Sequence, residues 1–217
     1  MTEQIPLLLL VAGAGLIGLY LSNLMYDYHV PHYVSRKLGH LAGGVAAVIA
    51  LFLFDYFLIP TLIAALFTLM LGLARIFRPH TFRGVGGSGR PGAAAEFWFP
   101  LSLTICWGIG WGIFNQPVIA TVAALLMCWG DAVTGLVRSK VYGKPVKGFW
   151  GSVAMFIVCL IVTFTFVQPY HIGVLMSIGA VVAEWSCGDV SKIKFLRKVD
   201  DNLSIPLVGL AIGLLLI

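Results

Sequence analysis

The chain has 217 residues, 59% hydrophobic and 11% charged, with a formal net charge of +5 and a mean hydropathy of +0.97. Soluble globular domains carry about a quarter charged residues, so this composition excludes a soluble fold. It assigns the cations to orienting a membrane chain and meeting phosphates, and leaves no role for nucleic acid.

The first apolar run, IPLLLLVAGAGLIGLYLSNL, is long, unbroken and without the alternation of a barrel strand, and a backbone in lipid satisfies its own hydrogen bonds as a helix. Glu3 precedes it and no Lys or Arg does, so it reads as a retained helix and not a cleaved leader. Apolar stretches of near-spanning length then predict helices at about 5 to 24, 38 to 54, 57 to 74, 98 to 114, 117 to 137, 150 to 168, 172 to 187 and 203 to 217. The expectation is an all-α, polytopic integral membrane bundle of about eight helices, with residues 1–217 as one transmembrane domain.

The connections alternate. Those at Asp55, Asn115 to Pro117 and Gln168 to His171 are brief and lack Lys and Arg. The other four hold Arg36 and Lys37; Arg75, Arg78, Arg83 and Arg90; Arg138, Lys140, Lys144 and Lys147; and Lys192, Lys194, Arg197 and Lys198, which together are all fourteen cations. The positive-inside rule then puts these connections in the cytoplasm and both termini on the non-cytoplasmic side. Residues 75–97 read as a Gly/Pro-rich cytoplasmic loop, and 138–149 and 188–202 as basic cytoplasmic loops. Cys106, Cys128, Cys159 and Cys187 stand singly in or beside apolar runs and read as packing residues.

Acidic groups in a membrane chain are costly, so their positions carry information. Asp131 lies in CWGDAVTGLVRSKVYGKPVKGFWGS, with Thr134 and Arg138 on the same helix face. A carboxylate followed by cations and glycines suits a magnesium ion beside a phosphate chain; the alternative is a structural ion pair with a neighbouring cation. In VSRKLGHLAGG, Arg36, Lys37 and His40 share a face at a helix entrance. Cations there grip phosphate or merely anchor the helix at the interface. In RKVDDNLSIPL, Asp200, Asp201 and Asn202 precede the last apolar run, as part of a metal or nucleotide site or as helix caps. Glu96 and Glu184 are isolated acids that would bind metal, accept a proton or meet a loop cation. GVGGSGR lacks the strand and GK[ST] of a phosphate loop.

Taken in order, SRKLGH, the GDAVTGLVRSKVYGK block with Lys147, Gly151 and Ser152, and DDNLSIPL resemble the dolichol kinase and phytol kinase family, which includes CTP-dependent diacylglycerol kinases. The resemblance spreads over nearly the whole chain. It implies a Mg2+-dependent membrane enzyme that transfers the terminal phosphate of CTP to a lipid alcohol such as a polyprenol, a phytol-like alcohol or diacylglycerol. It further implies that Asp131 is a metal or nucleotide ligand, that Arg138, Lys144 and Lys147 contact phosphates, that Asp200, Asp201 and Asn202 complete the site, and that Arg36, Lys37 and His40 line it. Asp131, Asp201, His40 and Glu96 stay open as the general base. The chain departs from the family pattern at Gly148, Phe149 and Trp150, and in GVGGSGRPGAAAEF, where Glu96 alone remains of an acidic and basic cluster.

The rival enzyme is a lipid cytidylyltransferase, which would release pyrophosphate; the rival from another class is a transporter or flippase with intramembrane acids as ion couplers. A prokaryotic plasma membrane with a cytoplasmic active site is the expected location, and a homo-oligomer is compatible with the sequence.

Overall fold

A computed structural model describes residues 4–86, 94–143, 146–188, 191 and 193–217. Arg90, Lys144 and Lys192 lie outside the described residues, as does most of GVGGSGR. The order is α1 (Gln4–Asp27), α2 (His32–Leu53), α3 (Leu58–Phe77), α4 (Ala95–Cys106) running into a π-helical segment (Trp107–Ile113), α5 (Pro117–Leu125), a second π-helical segment (Leu126–Asp131), α6 (Ala132–Tyr142), α7 (Phe149–Phe166), α8 (Tyr170–Ser186), a 3-10 turn (Leu196–Lys198) and α9 (Asp201–Leu216). Because α5, its π segment and α6 are continuous, the described residues form eight helical rods and no strand. The fold is an all-helical, polytopic membrane bundle. Five of its helices are long and apolar enough to cross a bilayer by length and composition.

The helices overrun the apolar runs. Helix α2 starts at His32, directly after Pro31, and not near 38; Pro31 cannot extend a helix backward and sets its start. The fifth rod continues to Tyr142, so Arg138 is a helix residue and not a loop residue. In both cases the turn nearest the polar end is helical but carries charge, which hydropathy discards.

One rod is central. In its most apolar stretch Pro117–Tyr142 is 78% buried, whereas the other spanning helices are between 22% and 33% buried. Helices α2, α4, α7 and α9 pack around α5, and Ala120, Val122, Ala123 and Ala124 are sealed from the surface. Small side chains let backbones approach, which matters in lipid because tails compete equally for apolar contact and packing alone favours association. Outward faces carry Leu9, Ile17, Leu66 and Ile161, as a lipid-facing surface requires.

The rods alternate in direction. Ser22 near the end of α1 bonds the backbone of Ser35 near the start of α2, the end of α3 meets the start of α4 through Arg75 and Glu96, and Arg138 of α6 meets Glu184 near the end of α8. One end of the bundle therefore collects the starts of α2, α4, α7 and α9 and the ends of α1, α3, α6 and α8. The start of α1 and the end of α9 lie at the other end.

Candidate functional site

Four helical rods and one connection bring charge to a single point at the first of these ends. Lys37 is buried on α2 and reaches Asp131 on the last residue of the central π segment, Nζ to Oδ2 at 2.5 Å. Its path exists because residue 135 is glycine: a Cβ there would stand 2.5 Å from Lys37 Cε. The His40 ring, one turn along α2, stacks on Phe99 at 4.6 Å and puts Nδ1 3.6 Å from the same Asp131 oxygen.

Arg138 holds Glu184 of α8 in a bidentate pair, with Nη1 to Oε1 at 2.5 Å and Nη2 to Oε2 at 2.7 Å. Gly151 of α7 leaves the room, since a Cβ there would stand 2.5 Å from Arg138 Nε. Lys147, in the connection before α7, donates to Glu184 Oε1 at 2.6 Å and lies 3.5 Å from Asp201 Oδ2 in the first turn of α9.

Asp131, Glu184 and Asp201 thus each present an oxygen within 4.8 Å of the other two. Two carboxylates at that spacing repel by about 3.5 kcal/mol at an effective dielectric of about 20. The repulsion is offset because each has a cation: Lys37 on Asp131, Arg138 and Lys147 on Glu184, and Lys147 near Asp201. The group can accept a divalent ion because its donors are hard carboxylate oxygens from three helices, the ligand type Mg2+ takes. Arg36 Nε, His40 Nδ1, Arg138 Nε, Ser152 Oγ and Asn202 Oδ1 are buried and have no hydrogen-bond partner. Buried polar atoms ordinarily find one; Thr61 Oγ1 and Ser204 Oγ are unpartnered as well.

The other sequence candidates separate. Asp200 caps α9, its Oδ1 accepting from Asn202 N at 2.9 Å and Asn202 Nδ2 at 2.8 Å. It is not among the three converging carboxylates. Burial, and then the neighbouring Asp201 carboxylate, push its pKa up to about 6. Glu96 pairs with Arg75 at the α3–α4 end. Lys144 lies outside the described residues. Glu184, an isolated acid in the sequence, holds Arg138 and Lys147 together and is 1% exposed. Its only sequence signal was an acid in an apolar helix. Phe99, which seats His40, gave no signal at all.

No protein-family model and no solved structure matches the chain. Among curated proteins, it is 27% identical over 186 residues to a phytol kinase of Synechocystis sp., an alignment covering 82% of this chain and 76% of that protein.

Proposed function

We propose that the chain is an integral-membrane kinase that moves the terminal phosphate of a nucleoside triphosphate, CTP by the family resemblance, to the hydroxyl of a lipid alcohol at the charged end of the bundle, taken as cytoplasmic. The observation that carries this reading is the meeting of Asp131, Glu184 and Asp201 within 4.8 Å, ringed by Lys37, Arg138 and Lys147. Similarity to a phytol kinase supports it.

Phosphoryl transfer asks for charge neutralisation and alignment more than for covalent work by the protein. A magnesium ion held by Asp131, Glu184 and Asp201 would supply Lewis-acid neutralisation of the phosphate oxygens. In the structure the ammonium groups of Lys37 and Lys147 neutralise those carboxylates. Lys37, Lys147, Arg138 and Arg36, whose Nε has no partner, would contact the phosphates. The alcohol oxygen attacks the terminal phosphorus, the bond to the bridging oxygen breaks, and the nucleoside diphosphate leaves with the electron pair. His40 accepts the hydroxyl proton, and Asp131, 3.6 Å away, stabilises the imidazolium that forms.

The test is purified protein with labelled CTP, Mg2+ and phytol, read by product mass. Alcohol monophosphate and CDP are the expected products; a CMP-lipid with pyrophosphate would identify a cytidylyltransferase instead. Asp131→Asn should lower turnover at least a hundred-fold, about 2.7 kcal/mol of barrier, and near-normal turnover would refute the role of Asp131.

A further inference from the structure

The connection from α8 to α9 does not cross the bilayer, yet it holds large apolar side chains outward. Phe195 is 79% exposed, more than any other described aromatic residue, and Ile193 is 51% exposed. Lys194, Arg197 and Lys198 are exposed beside them. Residues 190–199 contain four cations and no acid, and among the described residues no carboxylate pairs with Lys194, Arg197 or Lys198. The backbone here is tied down. Gly188 N donates to Leu196 O at 3.2 Å and to Val199 O at 2.8 Å. Ser191, 1% exposed, donates to the Ser186 carbonyl and accepts from Ile193 N at 3.0 Å, while Arg197 Nε donates to Ser191 O at 2.6 Å. These bonds give the turn a fixed shape that presents Ile193 and Phe195 outward together with the cations.

We infer that this turn is a docking surface for anionic phospholipid headgroups of the leaflet at the charged end, with Phe195 and Ile193 entering the acyl boundary and Lys194, Arg197 and Lys198 meeting the phosphates. Apolar side chains exposed together on a polar segment mark a surface that meets a protein or a membrane, and the cations beside them choose the membrane. Basic segments next to a spanning helix are drawn to anionic lipid within a screening length of its surface. An anionic lipid answers both halves of the turn. A free nucleotide would meet the cations and leave Phe195 and Ile193 in water. A zwitterionic lipid would cover the apolar side chains but bring its own ammonium against the cations. The docking stands apart from the kinase reading; only its effect on turnover rests on that reading.

The surface is joined to the carboxylate cluster through Gly188. This residue closes the turn at a φ of 83°, a left-handed backbone that glycine adopts at no steric cost. A Cβ there would stand 3.0 Å from Asp201 Oδ2, so the Asp201 carboxylate rests against the closing residue of the turn. Asp201 is one of the three converging acids. Lipid held on the turn therefore steadies the backbone against which Asp201 is placed.

A phosphatidylglycerol analogue with a diazirine in its headgroup, carried in nanodiscs of phosphatidylcholine, tests the docking without needing turnover. Irradiated with the wild-type protein, it should label the segment 193–198. Labelling there should fall about ten-fold in the double variant Lys194→Gln, Lys198→Gln, and should be largely lost in about 1 M NaCl, where the screening length is about 3 Å. Phe195→Ser should weaken it as well. Equal labelling by a phosphatidylcholine analogue with the same diazirine, or labelling confined to other segments, overturns the inference. Turnover gives the second arm. Exchanging part of the phosphatidylcholine for phosphatidylglycerol should raise wild-type turnover roughly three-fold and leave the double variant unchanged. Equal wild-type turnover in both lipids, with labelling intact, overturns the link to Asp201. Phosphorylation of no alcohol in either lipid refutes the kinase, and the labelling pattern still decides whether anionic lipid docks on the turn.

Discussion

Asp200 and Asp201 are adjacent in sequence and do different work. Asp201 faces Lys147 and the converging carboxylates, whereas Asp200 turns back to cap α9 through Asn202. Asp200 carries the cost of that place as a pKa of about 6, raised by burial and by its neighbour. The unfolded value is near 3.9, so between roughly pH 4 and pH 6 the folded chain binds more protons than the unfolded one, and stability falls as pH rises through that window. Asp200→Asn keeps a capping oxygen and removes the titration. Its melting temperature in detergent should therefore be flatter between pH 4 and pH 6 than that of the wild type, and an equal slope in both proteins would show that Asp200 is not the group responsible. Sequence made the acid pair visible but not its division of labour, because capping depends on a backbone turn that neighbouring letters do not specify. Glu184 was less legible still. It is a lone acid in YHIGVLMSIGAVVAEWS, and its partners Arg138 and Lys147 lie far away along the chain.

At the scale of helices, what sequence periodicity misses is the close approach of α2 to α6. Spacing put Asp131, Thr134 and Arg138 on one face, and that holds for Asp131 and Arg138 only in the sense that both point into the cluster. Asp131 pairs with Lys37 of α2 and Arg138 with Glu184 of α8, while Thr134 bonds the Gly130 carbonyl. The widened π turn Leu126–Asp131 directly precedes α6, a local geometry that tends to occur at functional positions and that 3.6-residue reasoning cannot register. Gly135 is the residue that lets the two helices share Lys37. Gly135→Ala would gain about 0.5 to 1 kcal/mol of helix propensity, and the new methyl would meet the flexible end of a lysine, which gives way. Displacing Lys37 strips the buried Asp131 of its cation, a loss larger than the propensity gained, so the melting temperature should fall and turnover should fall about ten-fold. A loss of stability with turnover unchanged would mean that Gly135 serves packing alone.

For the whole molecule, the alternation of basic and non-basic connections was the most informative sequence feature. Every described Lys and Arg belongs to the end of the bundle that holds the carboxylates, and Asp55 belongs to the other. Hydropathy supplied the eight rods, because lipid imposes helices on any apolar run of spanning length. It could not supply the central position of Pro117–Tyr142, since a helix apolar all round reads alike whether it faces lipid or protein. The positive-inside rule turns the charge asymmetry into an orientation, and the four native cysteines are free and buried, so they offer little background to a polar reagent. A cysteine placed at Asp55, or separately at Lys140, reports that orientation directly in intact cells. Asp55→Cys should react with a membrane-impermeant maleimide from outside, and Lys140→Cys only after the membrane is opened. The reverse pattern would put the carboxylate cluster outside, away from cytoplasmic nucleotide, and no triphosphate-dependent reaction would then be available to it.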